Sequence, residues 1–361
     1  HRVSLNDPDT GVWTTQTDAR GNPTIETDPR AFTHTNTYDN LDRIVSRSLT
    51  ARPSGAPAES SVFFSYDTLA SCGGQASTSA DIGALVHVTD AIGDECFLHD
   101  AAGNTTRHVR ALGGKRFAFA HVFDPLGRRT RTTDPTGQLL AWRFDRHLLA
   151  RVEQVDTGGG VIRTLIDGLG YDAFDQLEAS SLGGAATELR RHESVLGRLD
   201  EITFSQFGSV MVHLDPTIDG LGRVTSIAST VATPIQSAEL RTVTYAYDGL
   251  DRLTSATGNV LPDAAISGAV VSYAYDRLGS LVAKDVGAPG GLARMVHDDP
   301  VAPRRLKKAY TQTGDSSPAI TLAYDLAGNV TTRTQGGVAK GLTYDSEGRL
   351  ISVSGASPVS Y

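Results

Sequence analysis

One short pattern recurs along this chain and limits what it can fold into. Tyr247-Asp248-Gly249-Leu250-Asp251-Arg252-Leu253 aligns with Tyr275-Asp276-Arg277-Leu278-Gly279-Ser280-Leu281. Tyr324-Asp325 with Gly328 and Val330, and Tyr344-Asp345 with Gly348 and Leu350, repeat it. The form is Tyr-Asp, two variable residues, Gly or Asp, a polar residue, then an aliphatic. Tyr38-Asp39 through Ile44 and Tyr171-Asp172 through Leu177 fit it too. Weaker copies fill the gaps: Asp100 with Gly103, Asp124 with Gly127, and Asp219 with Gly222. Asp18, Asp90 and Asp134 keep only the turn, and Ser194 with Gly197 has lost the Asp. The motif Asp residues at 219, 248 and 276 are spaced by 29 and 28, and 325 to 345 is 20. A loose period of this size marks a repeat architecture.

The physics of one repeat is that of a β-hairpin. Val243, Tyr245 and Tyr247 fall at i, i+2 and i+4, as do Val271, Tyr273 and Tyr275, which places each set on one face of a strand. After the motif comes a second β-prone run, such as Leu350-Ile351-Ser352-Val353. Between the two strands, the Asp side chain can accept from backbone N–H groups ahead of it. The Gly that follows can take φ > 0 without a Cβ clash. Asp42, Asp175 and Asp251 stand at that Gly position and tolerate it better than most residues. A lone hairpin is marginal in water, so hairpins stacked edge to edge, burying their Tyr and aliphatic rows, are the expected solution.

Composition agrees. The 361 residues include 37 Gly, only 2 Cys and 2 Met, and carry a net charge of −8. With 39% hydrophobic and 20% charged residues, the chain is neither a disordered polyelectrolyte nor a membrane protein. No apolar run approaches the roughly 18 residues of a membrane span, and net acidity argues against a nucleic-acid partner. The pattern is still running at Ser360-Tyr361, and the chain opens at His1 without Met. It reads as a piece of a longer polypeptide.

The repeat resembles the YD-repeat, or Rhs-repeat, family over essentially the whole chain from about Asp18. That resemblance implies an all-β fold, an array of antiparallel hairpins forming a curved or spiral sheet that is part of a hollow shell. Residues 1–361 are then a single array. In bacterial members the shell encloses a toxic C-terminal domain, as in type VI Rhs effectors and toxin-complex B and C components; teneurins use a similar shell in adhesion. The implied partners are the rest of the same shell, an enclosed toxin domain and a secretion-machine component. The implied localisation is secreted or cell-surface. Bacterial members typically end the shell with an Asp-based self-cleavage site in an Asp-Pro-x-Gly-Leu-like segment. Asp124-Pro125-Leu126-Gly127 and Asp134-Pro135-Thr136-Gly137 are only superficially similar and sit mid-array, so no self-cleaving residue is carried over.

Motifs for other chemistry fail residue by residue. There is no Gly-x-Ser-x-Gly elbow. His192-Glu193 lacks a second His of a zinc helix, and Val109 stands where a phosphate loop ending at Lys115 needs Gly. The ten His residues show no metal spacing. One Asp per turn is a turn former, whereas calcium repeats use several. The expected catalytic, cofactor and metal sites are therefore none. The Arg or Asn after the Gly reads as a solvated strand edge, and His99, at a motif Tyr position, as a stand-in for a stacked ring. Cys72 and Cys96 hold near-equivalent places in neighbouring repeats, either bonded across adjacent strands or as two thiols. Loops are expected at 50–61, 71–81, 261–268 and 287–303, with no domain boundary. The leading reading is a shell segment without catalysis. An adhesin-like module binding a glycan or protein is second, though Trp13 and Trp142 are its only Trp residues. A hydrolase, which would need clustered carboxylates of raised pKa, is third.

Overall fold

The structure is a computed structural model that describes residues 3–233, 236–258, 269–286, 293–312, 314–355 and 358–360. The loop expected at 261–268 and residues 287–292 of the next lie outside these. Among the described residues there are thirty β-strands, one 3-10 turn at Ser79–Asp81 and no α-helix. Every described ladder is antiparallel and joins strands consecutive in sequence, from Ser4–Asp7 with Gly11–Thr17 to Leu350–Ser354 with Val359–Ser360. The all-β hairpin array read from the repeat is the fold observed.

The alternation holds where it was read. Val243, Tyr245 and Tyr247 are half-buried while Thr242, Thr244 and Ala246 are exposed, and Val271 is buried between exposed neighbours. The ladder shifts register just before the motif Asp. Tyr247 then faces Leu253, as Tyr275 faces Leu281 and Tyr344 faces Leu350. Each repeat therefore closes by pairing its Tyr with its own aliphatic.

The chain divides into two compact units: His1–Ser65 with His87–Asp94 and Val271–Tyr361, and Tyr66–Val86 with Glu95–Val270. The first unit gathers strands from both ends of the sequence. In the second, strands run as a meander from Thr105–Leu112 to Leu253–Gly258. There, segment 66–86 departs from the hairpin form. Cys72 is bonded to Cys96, and both are buried with Leu98 and Val109 in a small apolar cluster. Arg107 donates to the carbonyls of Cys72 and Gly73 at 2.9 and 2.7 Å. Buried Asp81 accepts from the His99 backbone at 2.7 Å and lies 3.1 Å from its Nδ1. His99 is thus a partner for a buried carboxylate, not a stacked ring.

Candidate functional site: the repeat turns and a buried charged seam

The motif Asp organises its own turn. At Asp39, the carbonyl accepts from Asp42 N–H (3.1 Å) and the N–H donates to the Arg43 carbonyl (2.9 Å). Its Oδ1 accepts from the N–H of Leu41 and Arg43, at 2.9 and 3.0 Å, and its Oδ2 from Arg43 Nε at 2.7 Å. Asp124, Asp219, Asp248 and Asp345 repeat this set of three side-chain bonds with Arg128, Arg223, Arg252 and Arg349. Asp100 uses Asn104 and Asp325 uses Asn329 in place of Arg. Asp172 and Asp276 keep the backbone bonds, to Gln176 and Ser280. The residue closing the turn is left-handed: φ is +83° at Gly103, +74° at Gly127, +84° at Gly222 and Gly279, +87° at Gly328 and +76° at Gly348. Asp42, Asp175 and Asp251 adopt +61° to +62° there. Local acceptors thus replace the strand ladder where the chain reverses.

These bonds move the carboxyl groups. The backbone N–H of Arg43 and of Arg223 are the leading causes that hold Asp39 and Asp219 below the usual carboxylate range. For Asp124 and Asp248, the guanidiniums of Arg128 and Arg252 lead.

The motif Tyr closes the hairpin onto its predecessor. The Tyr38, Tyr171 and Tyr247 hydroxyls donate to the carbonyls of Pro23, Leu149 and Val224, and Tyr324 and Tyr344 to those of Leu306 and Val330.

Two turn features were not read from the sequence as functional. The cation after the Gly is at several turns more than a solvated edge: Arg43, Arg128, Arg223 and Arg252 clamp the motif Asp, and some residues at this position reach the next turn. Arg198 donates to the Asp219 carbonyl at 2.9 Å and Arg223 to Asp251 at 2.7 Å. Gln176 does the same to the Gly197 carbonyl. The second variable residue is repeatedly Leu, and its side chain projects outward: Leu126, Leu221 and Leu250 are each 74% exposed. Both signals stand in the aligned repeats, at the fifth and third residues counted from the motif Asp.

In the first unit, turns from the two ends of the sequence meet in a buried charged seam. Arg30 donates through Nη1 and Nη2 to the carbonyls of Asp345 and Ser346, both at 2.9 Å, and through Nε to Asp28 at 2.6 Å. Arg305 donates to the carbonyls of Asp9 (2.8 Å) and Asp325 (3.1 Å). Arg47 bridges Glu26 at 2.6 Å and Glu347 at 3.0 Å. Ser346 donates its N–H to Glu59 Oε1 (2.7 Å) and its hydroxyl to Glu59 Oε2 (2.5 Å). His34 Nε2 lies 2.8 Å from the same hydroxyl oxygen. Burial leads in pushing His34 below its ordinary value, with Arg47 adding to it. Burial alone would raise Glu26, but the bonds from Arg47 and Asn36 outweigh it and its carboxyl sits low.

A serine beside a histidine invites a nucleophile reading, and the hydrogen bonds argue against it. The Ser346 proton goes to Glu59, so the Nε2 proton of His34 must point at Ser346. That imidazole is a donor to the hydroxyl, not a base for it. The seam holds turns together. Among the described residues no group of three His, Cys, Asp or Glu side chains could hold a metal ion. Among the described residues no helix is long and apolar enough to cross a membrane.

No model of a protein family matches this chain, and no curated protein matches it. Solved structures do. The crystal structure of TcdB2-TccC3 matches with a TM-score of 0.78 over 98% of this chain, at 19% identity. The chain shares the fold of a part of TcdB2-TccC3. A mutant Tc holotoxin pore from Photorhabdus luminescens matches with a TM-score of 0.74 over 98%, also at 19% identity. TcdB2-TccC3 without its hypervariable C-terminal region gives 0.71 over 99%, at 17%. The chain spans only 19%, 18% and 20% of those chains' lengths. The family resemblance drawn from the repeat and the likeness drawn from the fold agree.

Proposed function

We propose that this chain is a wall segment of a bacterial toxin shell that encloses and protects a toxic cargo domain and performs no catalysis of its own. The observation that carries this is the fold likeness to TcdB2-TccC3 across 98% of the chain. The turn chemistry supports it. Asp and Tyr at each repeat satisfy the backbone where the chain reverses, which suits a continuous wall. On this reading the partners are the remaining shell, the cargo and a secretion-machine component, and the protein is secreted or cell-surface.

The test uses the intact protein from its native source. Protease is added with and without a mild denaturant, and the digestion of the region outside this segment is followed by mass spectrometry. The proposal expects a C-terminal domain that survives until the segment itself is cut. A flanking domain digested at the same rate with the segment intact would overturn it.

A second reading, a binding module, rests on one observation. Phe97, His108, Phe119 and His121 stack in series at centroid spacings of 5.0, 6.2 and 6.4 Å, and Phe123 meets His121 edge-on. The rings are half-exposed on strands, where stacked rings can meet a sugar or a peptide. A glycan-array screen checks it: saturable binding lost in Phe119→Ala supports this reading, and no binding removes it.

A further inference from the structure

The seam of the first unit holds more than a fixed set of ion pairs. We propose that His34, Ser346 and Glu59 form an acid-released latch that joins strand Thr33–Tyr38 to the turn at 345–348. The latch lies wholly within the first unit and does not depend on what the shell holds.

The geometry makes Ser346 the pivot. Its N–H and hydroxyl both go to Glu59, which leaves its oxygen, 2.8 Å from His34 Nε2, to accept from the imidazole. Ser346 is 4% exposed and His34 7%. One residue of the turn thereby binds two elements about 300 positions away in sequence, at separations of 287 and 312. Neutral His34 already donates from Nε2. A second proton adds no bond to Ser346 and creates a cation in a nearly closed site.

The charges around His34 come from every neighbouring element. Glu26 pairs with it across the ladder from strand Pro23–Thr27. Arg47 approaches from strand Ile44–Ala51, tied to Glu26 and to Glu347. Glu347 lies 3.4 Å from Nε2, and Glu59 comes from the segment before strand Val62–Tyr66. Asp28 with Arg30, and Asp345 with Arg349, are paired beside this ring, and Asp28, Arg30 and Arg349 line cavities that His34 also lines. Asp90 lines a cavity that His34 also lines. Glu347, Glu59 and Glu26 favour an imidazolium; burial and Arg47 oppose it and prevail.

The sign follows. A histidine whose pKa is lowered in the closed state binds a proton more readily when the latch is open. The latch is therefore fully closed above the ordinary value of 6.5 and loses stability as pH falls below it. Glu26, held low by Arg47 and Asn36, adds a loss of the same sign only below its ordinary value of 4.5. Release thus begins in the histidine range, before Glu26 contributes.

Hydrogen exchange of the full chain, corrected for intrinsic rates, tests this at about pH 7.5 and about pH 5.5, the two sides of that range. The latch predicts several-fold faster exchange at 345–349 and at 33–38 on acidification. Amides around Cys72 and Cys96 should not change. His34→Gln keeps an N–H donor without a titrating group and should remove the acid effect. Equal exchange at the two pH values in the wild type would overturn the latch, as would a His34→Gln protein that loosens on acidification like the wild type. If that variant does not fold, Glu59→Gln serves. It weakens the acceptor of Ser346 and should open the same segments already at about pH 7.5; unchanged exchange there contradicts the proposal.

Discussion

Glycine at the turn is required by its backbone, and at some positions, Gly11 and Gly328 among them, by its surroundings as well. At Gly222, φ is +84° and a Cβ would meet nothing within 4 Å. Gly222→Ala therefore costs only the left-handed strain, about 1 kcal/mol, and Gly222→Asn costs less. At Gly11, φ is +79° and a Cβ would fall 2.7 Å from Pro29 Cβ and 2.8 Å from the Leu326 carbonyl oxygen. Gly11→Ala adds overpacking of about 1–3 kcal/mol to the same strain. Denaturant midpoints of the three variants check the order: Asn at 222 mildest, Ala at 222 next, Ala at 11 worst. The motif carboxylates set a second expectation. Asp39, Asp124, Asp219 and Asp248 are held below their ordinary value of 3.8. The turns should keep their stability above that pH and lose it as pH falls through the lowered values. Amide exchange at 39–43 and 219–223 should then rise only at more acid pH than exchange at 345–349. Turns that loosen first would contradict these assignments.

Hairpins are the elements the sequence announces, because every group that shapes one lies within a few residues. Tyr247, Asp248, Asp251 and Leu253 are enough to place two strands, a turn and a closing pair. Other contacts connect elements that no local pattern links. The seam joins Arg30 to Asp345 and Ser346 across more than 300 residues, so no spacing could show that these charges would be buried together. Arg198 and Arg223 read as surface cations because the next turns they reach are 21 and 28 residues away. The segment 66–86 was similarly opaque. It breaks the repeat and covers the sheet through Leu69 and Cys72, packed with Leu98 and Val109. Its disulfide closes a separation of 24 residues. Loss of such a cross-link costs about 3 kcal/mol, so Cys72→Ser with Cys96→Ser should lower the unfolding midpoint of the second unit. Reductant should do the same to the wild type and nothing further to the double variant. A reduced wild type as stable as the oxidised one would mean that Arg107 and Asp81 hold the segment alone.

A whole molecule built this way gets its stability from ladders and turns more than from one large core. Among the described residues the largest fully buried apolar side chains are no bigger than Val86, Val109 and Val271, and several buried groups are polar. Consecutive antiparallel strands satisfy one another's backbone along the described ladders. The fold likeness places this chain beside TcdB2-TccC3, of which it spans a fifth by length. The enclosing role follows only if these strands form part of a closed wall in the native protein. Electron cryo-microscopy of the protein purified from its native source tests this most directly. The account predicts a hollow shell much larger than this chain, with these strands in its wall and density inside it. An isolated particle of about this chain's size, with both sheet faces in solvent, would contradict it.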